Sequence, residues 1–197
     1  MRSTPVTRLA GERWRSMVLM MSSEMPQETL SMVVAETALG WAGVALSPRG
    51  IRYATLFHRS ESAARGEMRA FGAVEDDDPR AAEVRALLIA YGSGAGGSLD
   101  EYPVDLPPCS TLQHDTWLAM REVPCGETRS YGWLARRVGR EDAPRAVGAM
   151  VGANPIPLWL PCHRLIASDG TLHGFGGGLA MKQTLLELEG ALPKRLL

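Results

Sequence analysis

Ser130-Tyr131-Gly132-Trp133-Leu134-Ala135-Arg136-Arg137-Val138-Gly139-Arg140-Glu141-Asp142-Ala143-Pro144-Arg145-Ala146-Val147-Gly148-Ala149-Met150-Val151-Gly152 reads as two short helices joined by a glycine-containing turn. Ser130 suits an N-cap, since its hydroxyl can accept from the unpaired N–H groups of a first turn, and Gly139 ends the helix after Val138. Glu141-Asp142-Ala143-Pro144 opens the second helix, which runs to Gly152 on small side chains. The pair forms a helix-turn-helix pattern. Helical hairpins are common, so charge matters: Arg129 to Arg145 holds five arginines against Glu141 and Asp142, net +3. A solvated helix face also carries such charge, and the neighbouring residues have to decide between the two.

Outward on the C-terminal side come Asn154-Pro155, the apolar run Ile156-Pro157-Leu158-Trp159-Leu160, and then Pro161-Cys162-His163-Arg164. A free cysteine is often just a small core residue. A thiol beside an imidazole is also what a nucleophile needs, because only the thiolate attacks. Ser168-Asp169-Gly170 and Gly174-Phe175-Gly176-Gly177-Gly178 follow, then a helix expected from about Leu179 to Glu189.

On the N-terminal side, Leu112 to Arg121 reads as a helix presenting Leu112, Thr116, Trp117 and Met120 to a core, stopped by Val123-Pro124-Cys125-Gly126. Pro107-Pro108 marks the expected domain boundary. Before it, Thr29 to Thr37, Trp41 to Leu46 and Gly50 to Leu56 have strand lengths and turn signals between them, predicting an antiparallel meander. Asp78 to Tyr91 is expected as a helix with Val84, Leu87, Leu88 and Tyr91 on one face, and Tyr102 to Leu106 as a short edge strand. The fold class expected is α+β: a small antiparallel-sheet domain with a helix over 26–106, then a mostly helical, winged-helix-like domain over 107–197.

The 197 residues and 45% apolar content suffice for a real core. A formal net charge of −1 does not by itself indicate a nucleic-acid binder, and residues 26–100 carry seven basic against ten acidic side chains, net −3. Only three cysteines, Cys109, Cys125 and Cys162, are present, too few and scattered for a disulfide framework or a four-ligand zinc site. His58, His114 and His173 show no metal-ligand spacing, so no metal is expected. Residues 1–25 contain four arginines and the short apolar stretch Met17 to Met21, which predicts a flexible extension and no membrane span. A reducing cytoplasm fits best.

Taken together, Pro124-Cys-Gly-Glu-Thr-Arg-Ser-Tyr131, Arg145-Ala-Val-Gly148, Asn154-Pro155, Pro161-Cys-His-Arg164, Gly174-Phe-Gly-Gly-Gly178 and Lys182-Gln-Thr-Leu-Leu-Glu-Leu-Glu-Gly190 closely resemble the O6-alkylguanine-DNA alkyltransferases. Six linked motifs in one order are far more specific than any alone, and they cover about Leu112 to Gly190. The resemblance implies that Cys162 accepts the alkyl group, that His163 maintains its thiolate through a water, and that Glu189, ahead of its neighbour Glu187, orients the imidazole. It makes Asn154 the hinge between recognition helix and active-site loop. Arg145 corresponds to the finger that fills the space left by a flipped nucleotide, and Tyr131 to the tyrosine that crowds the target phosphate. Ser130, Ala146 and Gly148 complete the implied DNA contacts, the small residues allowing close approach to the minor groove. Pro157, Leu165, Ser168, Phe175 and Gly176 are the implied walls of the guanine pocket.

Phe175 stands where many members carry a tyrosine whose hydroxyl can assist the leaving guanine, so slower transfer is expected. Leu112-Gln113 replaces a frequent aromatic-Gln pair and is expected only to repack the core. Implied too are double-stranded DNA containing O6-alkylguanine as partner and no cofactor; one protein per lesion needs no second chain, so a monomer is expected. Three rivals remain: a recognition-only relative that binds alkylated DNA without transfer, a cysteine hydrolase, and a helix-turn-helix regulator without chemistry. Cys109 and Cys125 are read as structural, and Trp117, Trp133 and Trp159 as core anchors.

Overall fold

A computed structural model describes residues 28–95 and 99–193. The expected extension over 1–25 therefore lies outside the described residues, as do residues 96–98. Three antiparallel strands, β1 (Leu30–Thr37), β2 (Gly40–Ser47) and β3 (Gly50–Ala54), form the expected meander. Gly50 enters β3 at φ 148°, with Pro103 O where a Cβ would sit, so position 50 admits no larger residue.

The strand period of two sorts β1 between two cores. Leu30, Met32 and Val34 face Ala64 and Met68 of a helix, α1 (Glu61–Ala70), while Val33 and Ala35 join Val84, Leu88 and Tyr91 of α2 (Ala81–Ser93) in the other cluster. Neither α1 nor β4 (Ala73–Val74) was expected from sequence, and β4 pairs parallel to β1, so the sheet order is β3-β2-β1-β4 rather than a plain meander. The α1 sequence Glu-Ser-Ala-Ala-Arg-Gly-Glu-Met-Arg-Ala buries only Ala64 and Met68, too faint an apolar stripe to announce a helix. Helix α2 starts three residues later than expected. Asp78 Oδ1 accepts from Arg80 N at 2.8 Å and its carboxylate pairs with the Arg80 guanidinium, making a local turn that postpones the first helical residue. The expected edge strand over Tyr102 to Leu106 reduces to a single bridge, Val104 against Ile51.

The C-terminal half consists of α3 (Thr111–Met120), β5 (Arg129–Ser130), α4 (Tyr131–Arg137), α5 (Pro144–Gly152), a 3-10 turn at Cys162–Arg164, β6 (Leu165–Ile166) and α6 (Gly178–Leu188). Ser110 caps α3 in a full capping box with Gln113, and Ser130 Oγ caps α4 by accepting from Trp133 N at 3.0 Å. Gly139, at φ 67°, supplies the left-handed residue between α4 and α5. Helix α5 begins at Pro144, not Glu141, because Ala143 is non-helical and proline suits a first turn. Trp117 Nε1 donates to Met150 O at 2.8 Å, locking α3 across α5. Trp117 and Trp159 are buried as expected, while Trp133 is only half-buried, and Leu112 likewise.

The molecule is α+β, and its main core runs through both halves: Val33, Leu46, Val84 and Leu88 share one cluster with Trp117, Leu134, Val147, Trp159 and Leu185. The sheet thus backs the segment that carries Cys162. Ala54 N of β3 donates to Pro155 O at 3.1 Å, fixing the start of that segment directly to the sheet.

Candidate active site

Between α5 and the 3-10 turn, residues 153–161 cross the core as an apolar loop. Leu158 sits in its middle at φ 76°, the only non-glycine residue with positive φ among the described residues. Its side chain is 1% exposed, and burial holds this disfavoured conformation in place. Asn154 clamps the loop: Nδ2 donates to Leu160 O at 2.7 Å, and Oδ1 accepts from Ile156 N at 3.0 Å. One amide therefore spans the stretch that delivers Cys162. Asn154 also favours the ionised form of the Cys162 thiol.

Cys162 opens the 3-10 turn and is 9% exposed. Burial pushes its thiol pKa up, while Asn154 and the nearby Lys182 ammonium oppose that shift. His163 is fully buried, and burial pushes its pKa down against the pull of Glu189. At rest the pair is therefore a neutral thiol and a neutral imidazole. His163 Nε2 lies 2.9 Å from Glu189 Oε1. Glu189 is held ionised, pulled down to about 2 by His163 and Arg164 despite burial. An ionised carboxylate only accepts, so the imidazole proton sits on Nε2, leaving Nδ1 as a proton acceptor. Nδ1 is buried and has no protein partner.

Glu189 is the C-cap of α6, and the helical period puts it on the buried face with Lys182, Leu185 and Leu186. Four hydrogen bonds converge on its carboxylate: from His163 Nε2, from Tyr91 Oη at 2.8 Å, and from Arg164 Nε at 2.8 Å and Nη2 at 3.1 Å. Arg164, 2% exposed, also donates to Val123 O and pairs with Asp100. Glu187 instead accepts from Gln183 on the flank of α6.

Lys182 is fully buried, its Nζ donating to Leu165 O and to His173 O and lying 5.6 Å from the Tyr131 ring centroid. Burial pulls its pKa down to about 8, and burial with the Cys162 charge pushes Tyr131 up to about 12, so the phenol stays protonated. Of the expected pocket walls, Phe175 and Pro157 are half-buried and Ser168 and Gly176 exposed. Leu165 is fully buried in the core, and its carbonyl receives Lys182.

On α5, Val147 and Val151 face inward, whereas Arg145, Ala146 and Ala149 are exposed and Gly148 is partly so. A Cβ built on Gly148 would meet nothing within 4 Å, so packing within the chain does not require glycine there. Tyr131 is half-buried at the start of α4, and Ser130 precedes it as the cap.

Sequence reading missed three contributors. Lys182 had a signal, a charge on the leucine stripe of α6, and so did Arg164, a charge closing an apolar run. Tyr91 had none, because its partner Glu189 is 98 residues away. Among the described residues, no group of three or more His, Cys, Asp or Glu side chains is arranged to hold a metal, and no helix is long and apolar enough to cross a membrane.

A buried thiol, imidazole and carboxylate in one chain with a helix-turn-helix define a protein with a nucleophilic-cysteine arrangement. Residues 111–191 match the family model described as 6-O-methylguanine DNA methyltransferase, DNA binding domain. Methylated-DNA–protein-cysteine methyltransferases of Mycobacterium leprae and Mycolicibacterium paratuberculosis are each 48% identical to this chain, over 109 and 114 residues. Those matches cover 55% and 57% of this chain and 64% and 68% of the relatives' own lengths. The crystal structure of Mycobacterium tuberculosis O6-methylguanine methyltransferase superposes with a TM-score of 0.67 at 30% identity, covering 83% of this chain and 94% of that one. The same organism's OGT in complex with DNA gives 0.68 at 30%, covering 82% and 93%. The chain belongs to the methylated-DNA–protein-cysteine methyltransferase family.

Proposed function

We propose that this protein repairs DNA by direct reversal, moving the alkyl group of O6-alkylguanine in duplex DNA onto its own Cys162, once and irreversibly. The observation that carries the reading is the buried Cys162, His163, Glu189 array, with Nδ1 of His163 left as acceptor. Cys162 passes its proton through a bridging water to Nδ1 of His163, whose imidazolium Glu189 stabilises. The sulfur attacks the alkyl carbon; the S–C bond forms as the C–O6 bond breaks, the electron pair stays on guanine O6, and a proton returns the base to ordinary guanine. Lys182 and Asn154 favour the thiolate that attacks. No cofactor enters the step.

A target guanine stacked in a duplex does not reach a buried thiol, so the nucleotide is flipped, at about a few kcal/mol of lost stacking and pairing. Exposed Arg145 fills the gap, Tyr131 crowds the target phosphate, and Ser130, Ala146 and Gly148 approach the backbone and minor groove. Pro157, Ser168, Phe175 and Gly176 receive the base. We assign 107–197 as the acceptor and DNA-binding part and 26–106 as the part that backs it, acting together as a monomer in the cytoplasm, where Cys162 stays reduced.

Titration tests this. Duplex DNA carrying O6-methylguanine, mixed with increasing protein, should lose its lesion at one chain per methyl group and then stop. Turnover beyond one equivalent would contradict the reading, and lesion binding without loss would favour the recognition-only relative.

A further inference from the structure

The N-terminal half does more than back the active-site loop: it places two polar side chains on the Glu189 hub. Tyr91 of α2, 6% exposed, donates to Oε1, the same oxygen that His163 Nε2 uses. Asp100 pairs with Arg164 Nη1 at 3.1 Å, and Arg164 in turn grips both Glu189 oxygens.

We propose that Tyr91 is a positioning residue for thiol activation, its hydroxyl and the Asp100–Arg164 pair setting, in opposite senses, the charge that Glu189 presents to His163. The proposal rests on Cys162 being the alkyl acceptor. A donor on a carboxylate oxygen draws off negative charge, so Tyr91 weakens Oε1 as a partner for the imidazolium. Asp100 does the reverse by neutralising Arg164, which leaves more of the Glu189 charge to His163. Among the described residues, the other ionisable groups around the hub are Lys182 on α6, Arg121 at the end of α3 facing Asp100, Cys125 in the loop after α3, Cys162 itself, and Tyr131 of α4 beside the thiol. None of these bonds directly to the Glu189 oxygen shared by Tyr91 and His163.

The test follows the alkylation of Cys162 in the full chain by iodoacetamide between pH 5 and 9, with peptide mass spectrometry separating Cys162 from Cys109 and Cys125. Tyr91→Phe should move the profile to lower pH, with a rate about threefold higher at pH 7, the size expected when one of several charge-assisted donors is removed. Asp100→Asn should move it to higher pH, about threefold slower, and Asp100→Glu should restore it. Loss of packing alone would shift both variants the same way. Profiles that superimpose on wild type, or that move together, overturn the proposal. Transfer from methylated DNA by the wild-type chain is measured in parallel: its failure refutes the repair reading, whereas normal transfer with unmoved profiles refutes only the role of Tyr91.

Discussion

Replacing Glu189 with Gln probes the centre of the site at constant shape. Its Oε1 takes His163 Nε2, Tyr91 Oη and Arg164 Nη2, and its Oε2 takes Arg164 Nε, so an amide NH₂ placed at either position meets a donor. Both partners of the ion pair are buried, at 1% and 2% side-chain exposure. Removing one member of such a pair costs about 3–5 kcal/mol, and a carboxylate held near 2 instead of its ordinary 4.5 independently contributes about 3 kcal/mol at neutral pH. For a domain of this size that corresponds to a Tm lower by about 6–20 °C. The linkage has a definite sign. The contribution is fully present above pH 4.5 and is lost as pH falls through about 2, so Glu189→Gln flattens that acid limb. Single-turnover transfer should slow by about 100- to 10,000-fold, the usual range for disabling an acid–base relay. Thermal melts over pH 2–7 and quench-flow transfer assays measure both quantities. A Tm within about 2 °C of wild type together with transfer within threefold would refute the relay.

Lys182→Met removes a positive charge next to Cys162 and should move thiol alkylation to higher pH. Because burial pulls Lys182 down to about 8, the wild-type chain should also gain stability as pH rises from 8 toward 10.5, a rise that denaturant titration finds missing in Lys182→Met. Arg145→Ala should slow repair in duplex DNA by more than about tenfold yet leave reaction with free O6-benzylguanine nearly unchanged, since only the former requires a flipped nucleotide. Equal losses would remove Arg145 from that role. Phe175→Tyr should accelerate transfer by about tenfold, worth one added hydrogen bond of about 1.4 kcal/mol to the leaving guanine; an unchanged single-turnover rate would show that the hydroxyl has no part in this pocket.

Much of the C-terminal half was legible because its determinants are local. Ser130 caps the helix it precedes and Gly139 breaks at the expected place, whereas Glu189 was named through the family resemblance alone. The N-terminal half was read less completely. Helix α1 buries two small-to-medium side chains and leaves no clear stripe, and β4 pairs parallel through a contact that no periodicity encodes. Turn chemistry displaced two helix starts, at Asp78 and at Ala143. The hub around Glu189 was half visible: adjacency suggested His163, but the bond from Tyr91 to Glu189 and that from Arg164 to Asp100 join residues far apart in the chain.

The central claim is covalent and has a mass. Protein incubated with duplex DNA carrying O6-methylguanine, digested and sequenced by mass spectrometry, should carry one methyl group on the peptide containing Cys162 and none on Cys109 or Cys125, with no gain in Cys162→Ser. A methyl group on another residue, or repaired DNA with an unmodified Cys162, would contradict the account.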